Sequence, residues 1–166
     1  TSSVTVASGS TGALPSPWSS ADIGSVGLAG SASYASGTFT PTGPGAAIWG
    51  TAAAFRFACR PLNGDGTIVA RVASLGNTAS WAKTGVMIRE SLDANARHAM
   101  VAITPANGVA FQRRRSTGGS SYHTSGAAVA APYWVKLTRV GDTFTAYQSA
   151  NGSTWVQVGS STISMA

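Results

Sequence analysis

Five carboxylates make up the acidic inventory of this 166-residue chain: Asp22, Asp65, Glu90, Asp93 and Asp142. A glycan hydrolase needs two of them facing each other, roughly 5 Å apart for retention or about 6.5–9.5 Å apart for inversion. No two stand at i and i+2, so no pair flanks one strand face. Asp65 and Asp142 lie in turn signals, where a short carboxylate serves the backbone. Metal chemistry is equally thin. His98 and His123 do not make a three-ligand zinc site with a single buried Cys59. The G-x-S-x-G elbow, the phosphate-binding loop and the dinucleotide fingerprint are all absent from the sequence. A structural calcium ion is the one cofactor the residues allow, since calcium takes carboxylate and backbone oxygens from loops. Its candidate ligands are Asp22, Asp65 and Asp142, each alone locally.

Eleven basic residues against five acidic ones leave a net charge of +6, and nine of the eleven are Arg. Such a surface attracts nucleic acid, anionic lipid or acidic polysaccharide. Nucleic acid is not expected, because no helix-turn-helix, zinc knuckle or aromatic-glycine RNA-binding motif occurs. The run Arg113-Arg114-Arg115, lying on a strand, divides between two faces. Membrane insertion is not expected either, since no stretch approaches the roughly 20 apolar residues of a spanning helix. Charged residues are 10% of the chain and hydrophobic ones 43%. The charged share is well below the roughly 25% of an ordinary soluble domain, and such Gly-, Ser-, Thr- and Ala-rich surfaces are common in secreted modules. The chain is expected to be a module excised from a longer protein.

The elements that must position these groups announce themselves by alternation. Phe55, Phe57 and Cys59 share one parity, as do Val86 and Ile88, Val101 and Ile103, Val109 and Phe111, and Val135 and Leu137. Period two implies strands with one face buried and one free. Cys59, the only cysteine, therefore belongs to the core. Residues 1–12 are a Ser/Thr-rich linker or an edge strand, and residues 13–166 form one domain. Strands are expected over 31–40, 46–60, 67–75, 85–90, 97–104, 108–115, 134–140, 143–149 and 154–158. Asn63-Gly64-Asp65-Gly66, Asn107-Gly108, Gly141-Asp142 and Asn151-Gly152 supply turns. Only 92–97 has room for a single helical turn. About ten strands without helices predict an all-β, two-sheet antiparallel β-sandwich.

Parity also names the free face. Met87 and Arg89, His98 and Met100, Gln112 and Arg114, Trp134 and Lys136, and Tyr147 are expected to point outward. Trp49, Trp81 and Trp155 are expected in the core or at strand ends. Aromatic rings stack on the apolar face of a pyranose, and planar Arg and Gln side chains pair with hydroxyls and carboxylates. The candidate ligand-binding set is thus Arg89, Gln112, Arg114, Trp134, Tyr147, His98 and Met87.

The stretch Trp81-Ala82-Lys83-Thr84-Gly85-Val86-Met87-Ile88-Arg89-Glu90, with Gly108 to Arg114, Tyr133 to Arg139, Thr143 to Tyr147 and the turn Asn151-Gly152-Ser153-Thr154-Trp155, resembles the concanavalin A-like jelly-roll modules of the DUF1349 type. The resemblance spans roughly residues 13–166. It implies a two-sheet sandwich with a curved inner sheet, in secreted bacterial proteins beside glycan-active enzymes. Ala47 and Ala53 stand where such modules often carry Asp, which removes two carboxylates from any metal or acid–base role the resemblance implies. Together these features predict a secreted, non-catalytic carbohydrate-binding module that targets an attached catalytic domain to polysaccharide. The alternatives are a structural or adhesive cell-surface module, and a polysaccharide hydrolase or lyase using Tyr147 or His98 as base.

Overall fold

The computed structural model describes residues 2–6, 12–43 and 47–166, the first of these segments as backbone only. Among the described residues the chain is all-β, with fourteen strands and no helix. Their order is β1 (Ser2–Val6), β2 (Ser19–Ile23), β3 (Ser31–Ala35), β4 (Thr38–Thr42), β5 (Ala47–Trp49), β6 (Ala52–Cys59) and β7 (Gly66–Val72). Then follow β8 (Thr84–Arg89), β9 (His98–Thr104), β10 (Gly108–Arg114), β11 (Ser121–Ser125), β12 (Tyr133–Val140), β13 (Thr143–Ser149) and β14 (Val156–Thr162).

The strands form three sheets. One has seven strands in the order β14-β13-β12-β7-β1-β4-β3, one has four in the order β11-β10-β9-β8, and one has three in the order β2-β6-β5. The turn chemistry follows the sequence. Val140 pairs with Thr143 around Gly141-Asp142, and Gly141 takes a φ of +56° that a side-chain-bearing residue resists. Asp65 reaches across to the same turn, its carboxylate accepting the Gly141 N–H at 2.6 Å.

A first core lies between the seven- and four-stranded sheets, giving the β-sandwich. Ala70, Val72, Val135, Leu137, Phe144 and Ala146 face Val86, Ala99, Val101, Ile103, Val109 and Phe111. A second core lies on the other face of the four-stranded sheet. There Met87, Met100 and Ala102 are covered by Ile23, Ile48, Ala53 and Phe55 of the three-stranded sheet. Alternation had promised one free face. Instead every residue of β9 is buried, and the sheet is packed on both sides. That arrangement favours a nearly continuous apolar run over an alternating one, and Ala99-Met100-Val101-Ala102-Ile103 is such a run.

Other expectations change in detail. β1 is no edge strand: it pairs in parallel with both β7 and β4, so the large sheet is mixed. The expected strand over 46–60 breaks at Gly50 into the β5–β6 hairpin. β2 and β11 are additional, and β14 begins at Val156. The expected helical turn is a tight turn closed by Ala96 N–H to Asp93 O at 3.0 Å. Cys59 is half-buried instead of sitting in the core. Residues 1, 7–11 and 44–46, which include half of the expected linker, lie outside the described residues.

The β5–β6 hairpin is fixed on the four-stranded sheet by Arg114, whose relative exposure is 0%. Its Nη1 donates to the carbonyls of Ala94 (3.1 Å) and Ala96 (3.2 Å), and its Nη2 to those of Trp49 (3.4 Å) and Gly50 (3.2 Å). Ser121 Oγ adds a 2.8 Å bond to Gly50 O. Replacing Arg114 by Met is expected to strand these carbonyls and cost about 3 kcal/mol of stability, which is roughly 6–12 °C in a domain of this size. Arg114→Lys should recover little, because one ammonium does not span two segments as a guanidinium fork does. Thermal unfolding followed by circular dichroism measures both, and an unchanged midpoint in Arg114→Met would mean that Arg114 does not hold the hairpin.

Candidate functional site

Strand register assembles the predicted residues into rows. On one face of the four-stranded sheet Arg89, His98, Arg114 and Ser121 are successive partners across β8, β9, β10 and β11. The next row on that face is Met87, Met100, Gln112 and His123. The first three residues of that row, with His98 and Arg114, are buried in or beside the second core, not free. The parity assignment was right about which residues share a face and wrong about exposure, because it had no view of the hairpin that covers them. Arg89 is half-buried. Its guanidinium lies 5.4 Å from the Phe55 ring centroid and 5.9 Å from that of Phe57, and donates to the carbonyls of Ser91 and Asp93. Burial, and then the nearby Arg114 charge, lower its pKa to about 10.

Trp134 and Tyr147 lie elsewhere, on the outer face of the seven-stranded sheet, which no other sheet covers. Lys136 is opposite Tyr147 on β13 and Val69 on β7. Its ammonium sits 4.5 Å from the Tyr147 ring centroid and 4.3 Å from that of Trp155, held between two π faces. Burial lowers the Lys136 pKa. Trp134 completes the cluster by resting on Gly152. A Cβ there would lie 2.8 Å from Trp134 Cε2, and φ is +74°, so the turn needs glycine twice over. A shallow depression of about 440 Å³ runs between Trp134 and Trp155, lined also by Lys136, Thr67, Val69 and Thr138. The two salt bridges among the described residues are Arg56–Asp22 and Arg97–Glu90, so Lys136 and its neighbour Arg71 have no acidic partner there. Trp155, expected from sequence in the core or at a strand end, stands just before β14 and joins the site, which the sequence did not assign to it. It reaches Lys136 because β14 carries a bulge opposite Ala146 and Tyr147, and no sequence pattern marks that extra residue.

The remaining sequence candidates scatter. Asp22 accepts the Gly30 N–H and pairs with Arg56 Nη1 at 3.2 Å, Asp65 holds the Gly141 turn, and Asp142 is in that turn. Among the described residues no three His, Cys, Asp or Glu gather into a metal-binding group. His98 and Tyr147, the alternative bases for a lyase, occupy different sheets, and of the two His98 is buried. Arg113 and Arg114 do part to opposite faces: Arg113 Nη1 donates to Thr124 Oγ1 at 2.6 Å, whereas Arg114 holds the hairpin. Among the described residues no helix is long and apolar enough to cross a membrane. Comparison with protein-family models, curated proteins and solved structures finds no match for this chain.

His98 carries a pH signature. Burial first, then the charge of Arg114, lower its pKa to about 4, and the 3.4 Å contact from Nδ1 to Ala96 O offsets this only in part. The folded chain thus holds it neutral, while the unfolded chain protonates it near the ordinary value of about 6.5. Between those values only the unfolded chain binds the proton, so stability falls as pH falls, by about 3 kcal/mol over the whole window. Urea unfolding at a series of pH values from about 7 to 4 should show this loss. In His98→Gln the same series should be flatter by that amount, and identical slopes would contradict a neutral buried imidazole.

Proposed function

We propose that the chain is a non-catalytic carbohydrate-binding module that takes polysaccharide on the outer face of its seven-stranded sheet. The observation that supports this is the Trp134–Lys136–Tyr147–Trp155 cluster, an aromatic and cationic surface on a rigid sheet, bordered by the Thr67 and Thr138 hydroxyls. Rings give a sugar an apolar face to lie on, hydroxyls exchange hydrogen bonds with its hydroxyls, and an ammonium without an acidic partner pairs with a uronate carboxylate. An acidic glycan is therefore the favoured ligand. The affinity of one site is modest, because an open depression buries little of the polymer and leaves the rest hydrated. In this proposal the module is secreted, belongs with the concanavalin A-like jelly rolls it resembles, and directs an attached enzyme to its substrate.

Affinity electrophoresis against polygalacturonate and a neutral β-glucan tests this. The polyuronate should retard the native chain, and rising salt should weaken the effect. Trp155→Ala should abolish retardation, and Lys136→Met should weaken binding about tenfold, the worth of one partly desolvated charge pair. Trp49→Ala, which alters a tryptophan 44% exposed on another sheet, should change nothing. A folded chain that no glycan retards would overturn the proposal and favour a structural or adhesive module.

A further inference from the structure

A cleft of about 730 Å³ opens between β6 and β8. β6 pairs with β2 and β5, and β8 pairs with β9 alone, so the two strands line the gap without bonding to each other. Its volume lies within the roughly 300–1,000 Å³ of small-molecule sites. Ile68 and Ala70 line it from β7, Phe57 from β6, and Met87 and Ile88 from β8. The charged side chains around it are mostly cations. Arg60, Lys83, Arg89 and Arg139 line it, and none is in a salt bridge among the described residues. One acid, Glu90, lines it as well and is paired with Arg97, and Arg56, a further lining cation, is paired with Asp22. Arg139 is buried and spent on the carbonyls of Gly141 and Met165, whereas Arg89 is half-buried, set over Phe55 and Phe57 and bonded to carbonyl oxygens and to Met87 Sδ. The carboxylate that acts on it most, Asp93, accepts the Ser91 hydroxyl instead of forming an ion pair. A cation held among aromatic rings without a counter-charge is costly, and a ligand anion removes that cost.

We propose that this cleft binds a small amphipathic anion, an aliphatic chain or aromatic ring bearing one carboxylate, with the apolar body between β6 and β8 and the acid group on Arg89. The site is separate from the glycan surface. It opens against the inner face of the seven-stranded sheet, at Ile68 and Ala70, whereas the glycan depression is on the outer face and shares only Thr67 with it, and a polymer coated with hydroxyls does not suit its apolar walls.

Cys59, the only cysteine of the chain, lines the same cleft and serves as the reporter. The experiment measures the rate at which neutral iodoacetamide alkylates Cys59 in the native chain, read by mass spectrometry. Dodecanoate and dodecyltrimethylammonium are each titrated below their critical micelle concentrations, with near-ultraviolet circular dichroism recorded throughout. Dodecanoate should slow alkylation about tenfold at ten times its dissociation constant, with the aromatic dichroism retained. The cationic surfactant should bind at least about tenfold more weakly. Arg89→Met should abolish the difference between the two. If that variant does not fold, the comparison of the two surfactants on the unaltered chain still decides. Equal protection by both surfactants, no protection by dodecanoate, or protection only with loss of the aromatic dichroism would each overturn the proposal.

Discussion

Arg114 is a buried cation that no carboxylate among the described residues answers, and the rest of the fold is arranged around it. Its guanidinium reaches the carbonyls of Ala94 and Ala96 in the β8–β9 connection and those of Trp49 and Gly50 in the β5–β6 hairpin. Burying a charge without neutralising it is tolerable only when fixed dipoles replace the lost water. Four carbonyl oxygens do so here, at the price of bringing two distant segments onto one sheet. Once the hairpin is held there, Ile48, Ala53 and Phe55 must be buried, and Met87, Met100 and Ala102 are what they meet. The second core, the neutral His98 and the unpaired edge of β8 all follow from that placement.

The same arrangement separates the two layers functionally. With the four-stranded sheet packed on both faces, polar side chains there are drawn into structural service. The seven-stranded sheet keeps an uncovered face, and its rings and cation are organised by their neighbours: Gly152 seats Trp134, and Tyr147 and Trp155 hold Lys136. Lys136 therefore spends less conformational entropy on meeting an anion than a free surface lysine would.

Period-two patterning and turn residues made the all-β sandwich legible, along with most of the strands from β7 to β13. They also grouped the site residues correctly within each sheet, because adjacent positions on one strand must alternate. What they could not convey was which sheet a strand joins, since pairing is a long-range choice that no local pattern encodes. Parity alone thus groups Trp134 and Tyr147 with His98 and Arg114, from which a whole sheet divides them. Exposure failed for a second reason. A residue such as Gln112 looks equally polar whether solvent or a hairpin lies above it, and only the unbroken apolar run of β9 hinted at a cover. Trp155 needed the β14 bulge, a backbone event without a residue signature.

The nesting of the strands has a consequence for the growing chain. β8 to β11 is a meander of neighbours, closed by short connections, and it lies entirely within the span that separates β7 from its partner β12. Closing that span is easier once the meander has compacted the residues inside it. On a ribosome adding ~5–20 residues per second, the roughly 60 residues from β7 to β12 take about 3–12 s to appear. For that interval β7 has no antiparallel partner. Its outward-facing Thr67 and Arg71 are the polar and charged residues that discourage a bare strand from pairing with another nascent chain.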